Sequence, residues 1–218
     1  MTERRRGLFV TFEGLDGCGK TTQMKRLAEV LRARGETVIE TAEPGGTPVG
    51  QGIRRILLDP AHHNMSSRAE LLLYFAARAQ NIEEIVEPAL ARGTLVFSDR
   101  WTDSTFAYQG FGRDLGTEVV DQLDTIACRG RRPDLTFWVD IDPETSLSRA
   151  RRRNVEDAVT GTRFEEESRA FFARVHQGYQ ELVHREPGRV RRIDGLGGID
   201  EVFARVLPVF DEVRQAHV

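Results

Sequence analysis

Short apolar runs alternate along this chain with longer segments in which apolar residues recur every three or four positions. The short runs predict buried β-strands at residues 8–12, 37–41, 94–98, 135–140 and 189–193. The periodic segments predict helices at residues 20–34, 48–58, 67–91, 143–152, 164–185 and 199–216, with two further helices ending at 112 and 128. Strands that alternate with helices in this way predict an α/β fold, in which helices cover both faces of a five-stranded parallel sheet.

Two segments depart from the simple pattern. The helix expected at 67–91 begins with five consecutive apolar or aromatic residues, at 71–75, so it is apolar nearly all round. Such a helix is buried on more than one side, and a partner subunit would cover the second side, so a homodimer is expected. Residues 153–163 have no apolar period and predict an excursion from the alternating order.

Composition narrows the class of protein without identifying it. The chain has 218 residues, 39% hydrophobic and 30% charged, and this length predicts one domain over residues 1–218. The net charge of −3 argues against general nucleic-acid binding, and no apolar run reaches the ~20 residues that a membrane span needs. The basic N-terminus leads into a strand, and the two cysteines, Cys18 and Cys128, form no disulfide framework. We therefore expect a cytoplasmic protein.

The first predicted strand leads into a glycine-rich loop that matches G-x-x-x-x-G-K-[ST] at every fixed position. Glycines there allow backbone N–H groups to turn inward around a polyphosphate, and the helix that follows adds the positive end of its dipole. Lys20 is placed to reach the β- and γ-phosphates of a nucleotide, and the Thr21 hydroxyl to hold Mg²⁺. The predicted nucleotide-binding residues of this loop are Gly14, Leu15, Asp16, Gly17, Cys18, Gly19, Lys20, Thr21 and Thr22.

Charged residues also follow the predicted strands, at the edge where open parallel sheets bind their ligands. Asp16 lies in the loop after the first strand, and Glu43 follows the second. Asp99 and Arg100 close the third strand. One such residue alone is often simply solvated, but the convergence of several on the phosphate loop indicates a functional site.

Arginines form a second group, beside and beyond the predicted excursion. They are Arg149, Arg151, Arg152, Arg153 and Arg163. Cations at a helix C-terminus are stabilised by the helix dipole, so one interpretation is a solvated face. Beside a phosphate loop, the cluster also suits phosphoryl transfer, which needs cations around the transferred group and a flap that excludes water. The second interpretation predicts an arginine-rich lid at about residues 149–165.

Longer motifs give this chain a resemblance to a known family. They are FEGLDGCGKTT at the phosphate loop, EPGGT at 43–47, LLLYFAARAQ at 71–80, DRWTDSTFAYQG at 99–110, RPDLTFWVDIDPE at 132–144 and RFEEE at 163–167. Together they cover nearly the whole chain and resemble the bacterial thymidylate kinases, which are P-loop nucleoside monophosphate kinases. The resemblance implies a three-layer P-loop NTPase fold, a homodimer, and phosphorylation of dTMP to dTDP by ATP with Mg²⁺.

Matching motif positions imply roles on the dTMP side. The resemblance assigns Arg100 to the 5′-phosphate of dTMP, Arg78 to a thymine carbonyl, and Asp16 to the sugar 3′-hydroxyl or the metal shell. The resemblance also places the Tyr74 ring against the base and the Tyr108 ring under C2′ of the sugar. It places Thr105 and Gln109 at the edge of the base. Glu43, Pro44 and Arg54 complete the predicted dTMP-binding set.

Members of the family differ in where the catalytic arginine lies. The phosphate loop here has no arginine, so the resemblance implies that the lid supplies one, through Arg153 or Arg163. It also implies that Arg149 packs on adenine. The predicted catalytic residues are Asp16, Lys20, Arg100, Arg153 and Arg163, and the predicted metal ligands are Thr21 and Asp99.

The chain departs from the family pattern at three positions. Ala42 stands before EPGGT, where an arginine is usual. Trp101 follows Asp-Arg, where tyrosine, histidine or phenylalanine is usual, and Tyr74 stands where a stacking phenylalanine is more frequent. These changes bear on the acceptor side of the site more than on the donor side.

Two other functions stay open at this point. A kinase of a different deoxynucleotide or deoxynucleoside would share the fold class, although Arg78, Thr105 and Gln109 suit the edge of a pyrimidine. A nucleotide-dependent switch with negligible transfer activity is the other, and Ala42 is the feature that favours it.

Overall fold

The structure, a computed structural model, describes residues 7–156 and 163–217 and, within these ranges, leaves the side chains of residues 151, 153–156 and 165–166 undescribed. In this part of the chain, five parallel strands form one sheet in the order β2–β3–β1–β4–β5. The strands are β1 Phe9–Glu13, β2 Val38–Ala42, β3 Leu95–Asp99, β4 Leu135–Asp140 and β5 Val190–Asp194. The predicted five-stranded parallel α/β sheet is confirmed.

Helices connect the strands and cover both faces of the sheet. They are α1 Lys20–Ala33, α2 Pro48–Leu58, α3 Ser67–Asn81, α4 Glu87–Ala91, α5 Thr102–Thr105, α6 Thr117–Cys128, α7 Pro143–Glu156, α8 Arg169–Arg185 and α9 Ile199–Ala216. Short 3₁₀ turns lie at Pro60–His62 and Arg163–Glu166, and π-helical turns at Ile82–Val86 and Phe106–Gly112. Among the described residues, no helix is long and apolar enough to cross a membrane.

Most strands begin and end one residue later than the apolar pattern predicts. A strand ends where its backbone hydrogen bonds to the neighbouring strand end, and not at its last apolar side chain. The strands therefore continue beyond the apolar runs, in most cases into a polar residue. In β1 and β3, for example, Glu13 pairs with Trp138 and Asp99 with Phe12. Most strands therefore end in a polar residue.

Three predicted helices differ in detail from the structure. The segment 67–91 is α3 and α4 joined by a π-helical turn, because Pro88 has no N–H to continue the regular bonding pattern. The segment 164–185 is a 3₁₀ turn followed by α8, whose start is set by Ser168: its hydroxyl accepts a hydrogen bond from the Phe171 N–H at 3.1 Å. Helix α7 continues to Glu156, into the predicted excursion, and residues 157–162 of that excursion lie outside the description.

The core lies in two layers, one on each face of the sheet. Val10 and Phe12 of β1 point towards α1 and α9, where buried apolar side chains of both helices enclose them. Phe9 points to the other face, where its ring meets Trp101 edge-on at 4.8 Å. This alternation fixes β1 at the centre of the sheet and carries the loop after it to the middle of the C-terminal edge.

Register then brings the three predicted site loops together. Residues Phe12 and Ala42 both pair with Asp99 across neighbouring strands. The loops that follow β1, β2 and β3 therefore start side by side at the carboxyl ends of these three neighbouring strands. The predicted convergence of the charged strand ends is confirmed by this arrangement.

Candidate active site

The phosphate loop is built against helix α7. Gly17 adopts a left-handed φ of 80°, and a Cβ atom there would lie 2.9 Å from both the Ala150 N and the Ser146 O atoms. Only glycine fits this approach. The Ser146 hydroxyl also donates to the Asp16 carbonyl oxygen at 2.6 Å, so helix and loop form one packed unit.

A donor-side cavity of about 890 Å³ lies between the phosphate loop and α7. It is lined by Gly17, Gly19, Lys20, Thr21, Thr22, Ser148, Arg149 and Arg152. The Arg149 guanidinium donates to the Gly195 carbonyl oxygen at 3.4 Å, which holds it at the mouth of the cavity. The predicted nucleotide-binding residues at and after Gly17 thus share one cavity, apart from Cys18.

Apart from Asp16, three predicted nucleotide-binding residues of the loop do not line the donor cavity. The Leu15 and Cys18 side chains are buried in the core, and Gly14 packs so closely on β4 that a Cβ atom would lie 2.5 Å from the Val139 carbonyl oxygen. Burial raises the pKa of the Cys18 thiol. These residues shape the loop from beneath, and any contact they make with a nucleotide is through their backbone.

A central cavity of about 820 Å³ adjoins the donor side. Its lining is Asp16, Lys20, Thr21, Ala42, Glu43, Pro44, Gly45, Arg54, Asp99 and Arg100. The Thr21 hydroxyl donates to the Asp99 carboxylate, so the two predicted metal ligands are in contact. Hydroxyl and carboxylate oxygens are ligands that Mg²⁺ prefers, and this pair fits such an ion.

A third cavity, of about 740 Å³, continues from the central one. Its lining includes every residue predicted for dTMP: Asp16, Glu43, Pro44, Arg54, Tyr74, Arg78, Arg100, Thr105, Tyr108 and Gln109. Four further lining residues are absent from the prediction: Leu58, Trp101, Ser104 and Phe164. Ser104 lies one helical turn after Arg100, a spacing that could have revealed it, whereas Leu58 and Phe164 carry no local signal.

Arg78 is the most deeply buried cation in this acceptor-side cavity. One of its terminal nitrogens donates to the Thr105 hydroxyl at 3.0 Å, while Nε and Nη1 have no hydrogen-bond partner among the described residues. Its guanidinium lies 4.9 Å from the Phe75 ring centroid and 5.4 Å from that of Trp101. Buried donors without partners are rare in proteins, so this arrangement is suited to a ligand that offers acceptor oxygens.

Arg100 lies where the central and acceptor-side cavities meet. Its Nη2 donates to Asp16 Oδ1 at 2.7 Å, and the same oxygen lies 3.4 Å from Lys20 Nζ. Desolvation acts to raise the pKa of Asp16, but the Arg100 and Lys20 cations outweigh it and hold that pKa well below its usual range. A single carboxylate therefore bridges a cation of the phosphate loop and a cation of the acceptor side.

Glu43 is buried between the same two cavities. One carboxylate oxygen accepts from the Asn81 amide, and the other has no hydrogen-bond partner among the described residues. Burial raises the pKa of Glu43 to about 7, against the opposing effects of Arg78, the Asn81 hydrogen bond and Arg54. Asn81 was not predicted, and it fixes the start of the EPGGT turn from helix α3.

Arg163 occupies a different place from the one expected of a catalytic lid residue. Its Nε donates to the Leu57 carbonyl oxygen at 3.1 Å, and its Nη2 is paired with the buried Glu70 carboxylate. Glu70 also accepts from Arg113 and from Gln109, the latter at 2.7 Å. In the described structure, Arg163 lines none of the three cavities, because a carboxylate holds it behind the acceptor side. The side chain of Arg153 lies outside the description.

Comparison with known proteins gives one consistent result. The family profile described as thymidylate kinase matches residues 12–206. A thymidylate kinase of Geobacter sulfurreducens is 47% identical over 204 residues, which is 93% of this chain and 96% of the relative. One of Desulfosudis oleivorans is 45% identical over 94% of this chain and 97% of its own. A crystal structure of thymidylate kinase from Ehrlichia chaffeensis, 31% identical, aligns with a TM-score of 0.76 over 94% of this chain and 99% of that one.

Proposed function

Because this chain belongs to the thymidylate kinase family, we propose that its site transfers a phosphoryl group from ATP to dTMP, forming dTDP. The observation that carries the proposal is the continuity of the three cavities. Donor and central cavities share Lys20 and Thr21, and central and acceptor-side cavities share Asp16 and Arg100 among others. A donor and an acceptor nucleotide would therefore lie end to end, with their phosphates meeting in the central cavity.

Thymine would lie in the inner half of the acceptor-side cavity. The unpartnered nitrogens of Arg78 suit a base carbonyl, and Thr105 and Gln109 are buried beside them. The Tyr74 ring provides the stacking surface on the cavity wall. Tyr108 lies nearer to Arg100, with its hydroxyl 3.4 Å from Arg100 Nη2, where it would meet the sugar of a nucleotide whose phosphate is bound by Arg100.

The chemistry needs alignment and neutralised charge more than a base. The acceptor oxygen of dTMP is already anionic, so no side chain has to remove a proton from it. Lys20 would neutralise the phosphates of the donor, Arg100 would hold the phosphate of the acceptor, and Asp16 would keep both cations in place. A site rich in arginine and without histidine in the cavity lining follows from this chemistry.

Thr21 and Asp99 would hold Mg²⁺, which neutralises charge on the β- and γ-phosphates when it is bound. Arg149, at the mouth of the donor cavity, would pack on adenine. Arg54 supplies a cation to the central cavity, where Ala42 stands in place of the family's usual arginine. The Nη1 atom of Arg54 donates to the Pro44 carbonyl oxygen at 2.9 Å. Of the two proposed lid arginines, Arg153 keeps the catalytic role in this proposal, and Arg163 becomes an anchor for the lid through Glu70.

A steady-state assay across nucleotides tests the function. With ATP and Mg²⁺ present, we expect kcat/KM for dTMP to exceed that for dUMP, dCMP, dGMP and thymidine, because the buried donors of Arg78 fit a pyrimidine with two carbonyls. Preferential turnover of any other acceptor would overturn the substrate assignment. Binding of ATP and dTMP without formation of dTDP would instead support a nucleotide-dependent switch.

An apolar groove supports the homodimer that we propose. Helices α3 and α6 enclose it, and it is lined by Arg68, Leu71, Leu72, Asp114, Leu115, Val119 and Leu123. Leu72 is 56% exposed, although its neighbours in sequence belong to the most apolar stretch of the chain. Covering this groove with a second copy would bury that surface.

Replacing Leu72 by glutamate is expected to convert the dimer to a monomer, because the substitution places a charge in the proposed interface. Light scattering after gel filtration at micromolar concentration measures the change in mass. The matched control is Ile199→Glu, at a position at the start of α9 that is 57% exposed and outside the groove; it should leave the mass unchanged. A wild-type protein with the mass of one chain would refute the dimer.

The proposal includes a cytoplasmic location. Its support is that both cysteines, Cys18 and Cys128, are buried and free.

A further inference from the structure

Glu13, the last residue of β1, is fully buried beneath the acceptor side of the site. Its Oε1 atom accepts a hydrogen bond from the Trp101 backbone N–H at 2.7 Å. Its Oε2 atom accepts from the Ser104 hydroxyl and, at 3.4 Å, from the Tyr179 hydroxyl. The carboxyl group thus joins β1 to the segment after β3 and to helix α8, and it lines none of the three cavities itself.

The backbone that Glu13 holds is that of Arg100. Arg100 has a left-handed φ of 71°, which is uncommon for a residue with a side chain. Its N–H donates to the Phe12 carbonyl oxygen at 3.0 Å, and its own carbonyl oxygen accepts from Ser98 at 2.7 Å. The next N–H, that of Trp101, donates to Glu13. A strained conformation persists only where its surroundings fix it, and these three bonds fix both sides of Arg100.

The same carboxyl group also reaches the end of the Arg100 side chain, through two hydroxyls. Arg100 Nη1 donates to the Ser104 Oγ atom at 2.9 Å and lies 3.4 Å from the Tyr179 hydroxyl. Ser104 and Tyr179 are 2.9 Å apart and both bond to Glu13. Nη2 is left on the other side of the guanidinium, towards Asp16 and the central cavity.

We propose that Glu13 is a positioning residue for the acceptor: it holds the backbone and the guanidinium of Arg100 in the orientation that receives the acceptor's phosphate. The inference rests on the proposed function for the identity of that acceptor. It adds a residue that touches no substrate and acts only through Arg100.

The charge state of Glu13 decides which substitution preserves its role. Burial and, to a smaller extent, the Asp103 carboxylate raise the pKa of Glu13 to about 8, against the opposing effects of Ser104, Arg100 and the Trp101 N–H. A pKa raised in this way favours the uncharged form of the side chain, and glutamine is the uncharged counterpart of glutamate. Glutamine keeps an oxygen for the Trp101 N–H and a polar group for the two hydroxyls, whereas alanine keeps neither.

We expect Glu13→Ala to raise the KM for dTMP about 10-fold or more, because the Arg100 guanidinium loses its fixed orientation. The KM for ATP should stay within about 2-fold of wild type. Glu13→Gln should restore most of the loss. Calorimetric titration with dTMP should show the same pattern in Kd. This measurement needs no turnover: if the wild-type protein bound dTMP without converting it, the proposed function would be overturned, and the Kd values would still test the positioning role.

A double-mutant cycle separates positioning from a merely structural role. Residues that act through one another are not additive, so Glu13→Ala should add less than about 2-fold to the KM of an Arg100→Lys variant. An equal increase in both backgrounds would overturn the proposal, and so would equal increases in the KM for dTMP and the KM for ATP.

Two further variants guard against loss of folding. Ser104→Ala removes the bridge to the guanidinium without touching the strand, and it should raise the KM for dTMP while leaving the KM for ATP unchanged. Asp124→Asn is the matched control: a buried carboxyl that accepts from Thr102 at 2.6 Å and lines none of the three cavities. It should leave both KM values unchanged. If Ser104→Ala also leaves them unchanged, Glu13 does not position the side chain of Arg100.

Discussion

Lys20→Ala is expected to lower kcat by about 10²–10³-fold, the usual cost of removing one preorganised donor from a transition state. Lys20 is buried at the junction of the donor and central cavities, and among the described residues its amine pairs with Asp16 at 3.4 Å. The charge of Lys20 would face the phosphates of the donor in the transition state, when negative charge builds up on them. Removing it takes away the cation that the phosphate loop itself supplies to that charge.

The measurement is single-turnover formation of dTDP at saturating ATP and dTMP, together with thermal unfolding. The melting temperature should change little, because Lys20 belongs to neither core layer. Lys25→Ala is the matched control, since Lys25 is the chain's other lysine and lies exposed on the same helix. A Lys20→Ala protein that keeps more than about a tenth of wild-type kcat would show that Lys20 does not act on the transferred group.

Arg100→Ala is expected to raise the KM for dTMP by about two orders of magnitude. The substitution removes the cation that would pair with the acceptor's phosphate, and truncating one member of a charge pair that is buried in a complex costs about 2–5 kcal/mol. The substitution removes the cation from the junction of the central and acceptor-side cavities. Within the described part of the chain it also leaves Lys20 as the remaining ion-pair partner of Asp16, so kcat should fall as well, by a smaller factor.

Initial rates over a range of dTMP concentrations measure this effect, with the KM for ATP as the internal reference. Arg92→Ala, at an exposed position after α4, controls for the loss of an arginine. An unchanged KM for dTMP in Arg100→Ala would contradict the role of Arg100 and would also remove the basis for a positioning role of Glu13.

The apolar pattern was sufficient to predict the sheet, and the motifs that carry the family resemblance were sufficient to predict ten of the fourteen residues that line the acceptor-side cavity. The DRWTDSTFAYQG motif follows β3, the phosphate loop follows β1, and parallel pairing brings the ends of both strands to one edge. Each motif carries its side chains at a fixed offset from a strand end, so Arg100, Thr105 and Gln109 reach the same cavity once the strand order is known.

The pairing of cations could not be predicted in the same way. Arg163 has the residue type and the neighbourhood expected of a catalytic lid residue, but Glu70, 93 positions earlier, binds it. Nothing near either residue in the sequence signals the other. Glu13 is a similar case: its partners Trp101, Ser104 and Tyr179 come from segments far along the chain. Such long-range contacts decide which charged side chains are paired within the protein and which remain available to a ligand.

The close packing of Gly17 on helix α7 has a consequence for how ATP binds. The donor cavity has the phosphate loop as one wall and α7 as the other, and the two walls touch with no space for a methyl group between them. Both walls are therefore ordered when the chain folds, and the loss of conformational entropy in arranging them falls on folding and not on binding. The donor side is therefore preorganised by the contacts of Gly17 with Ser146 and Ala150.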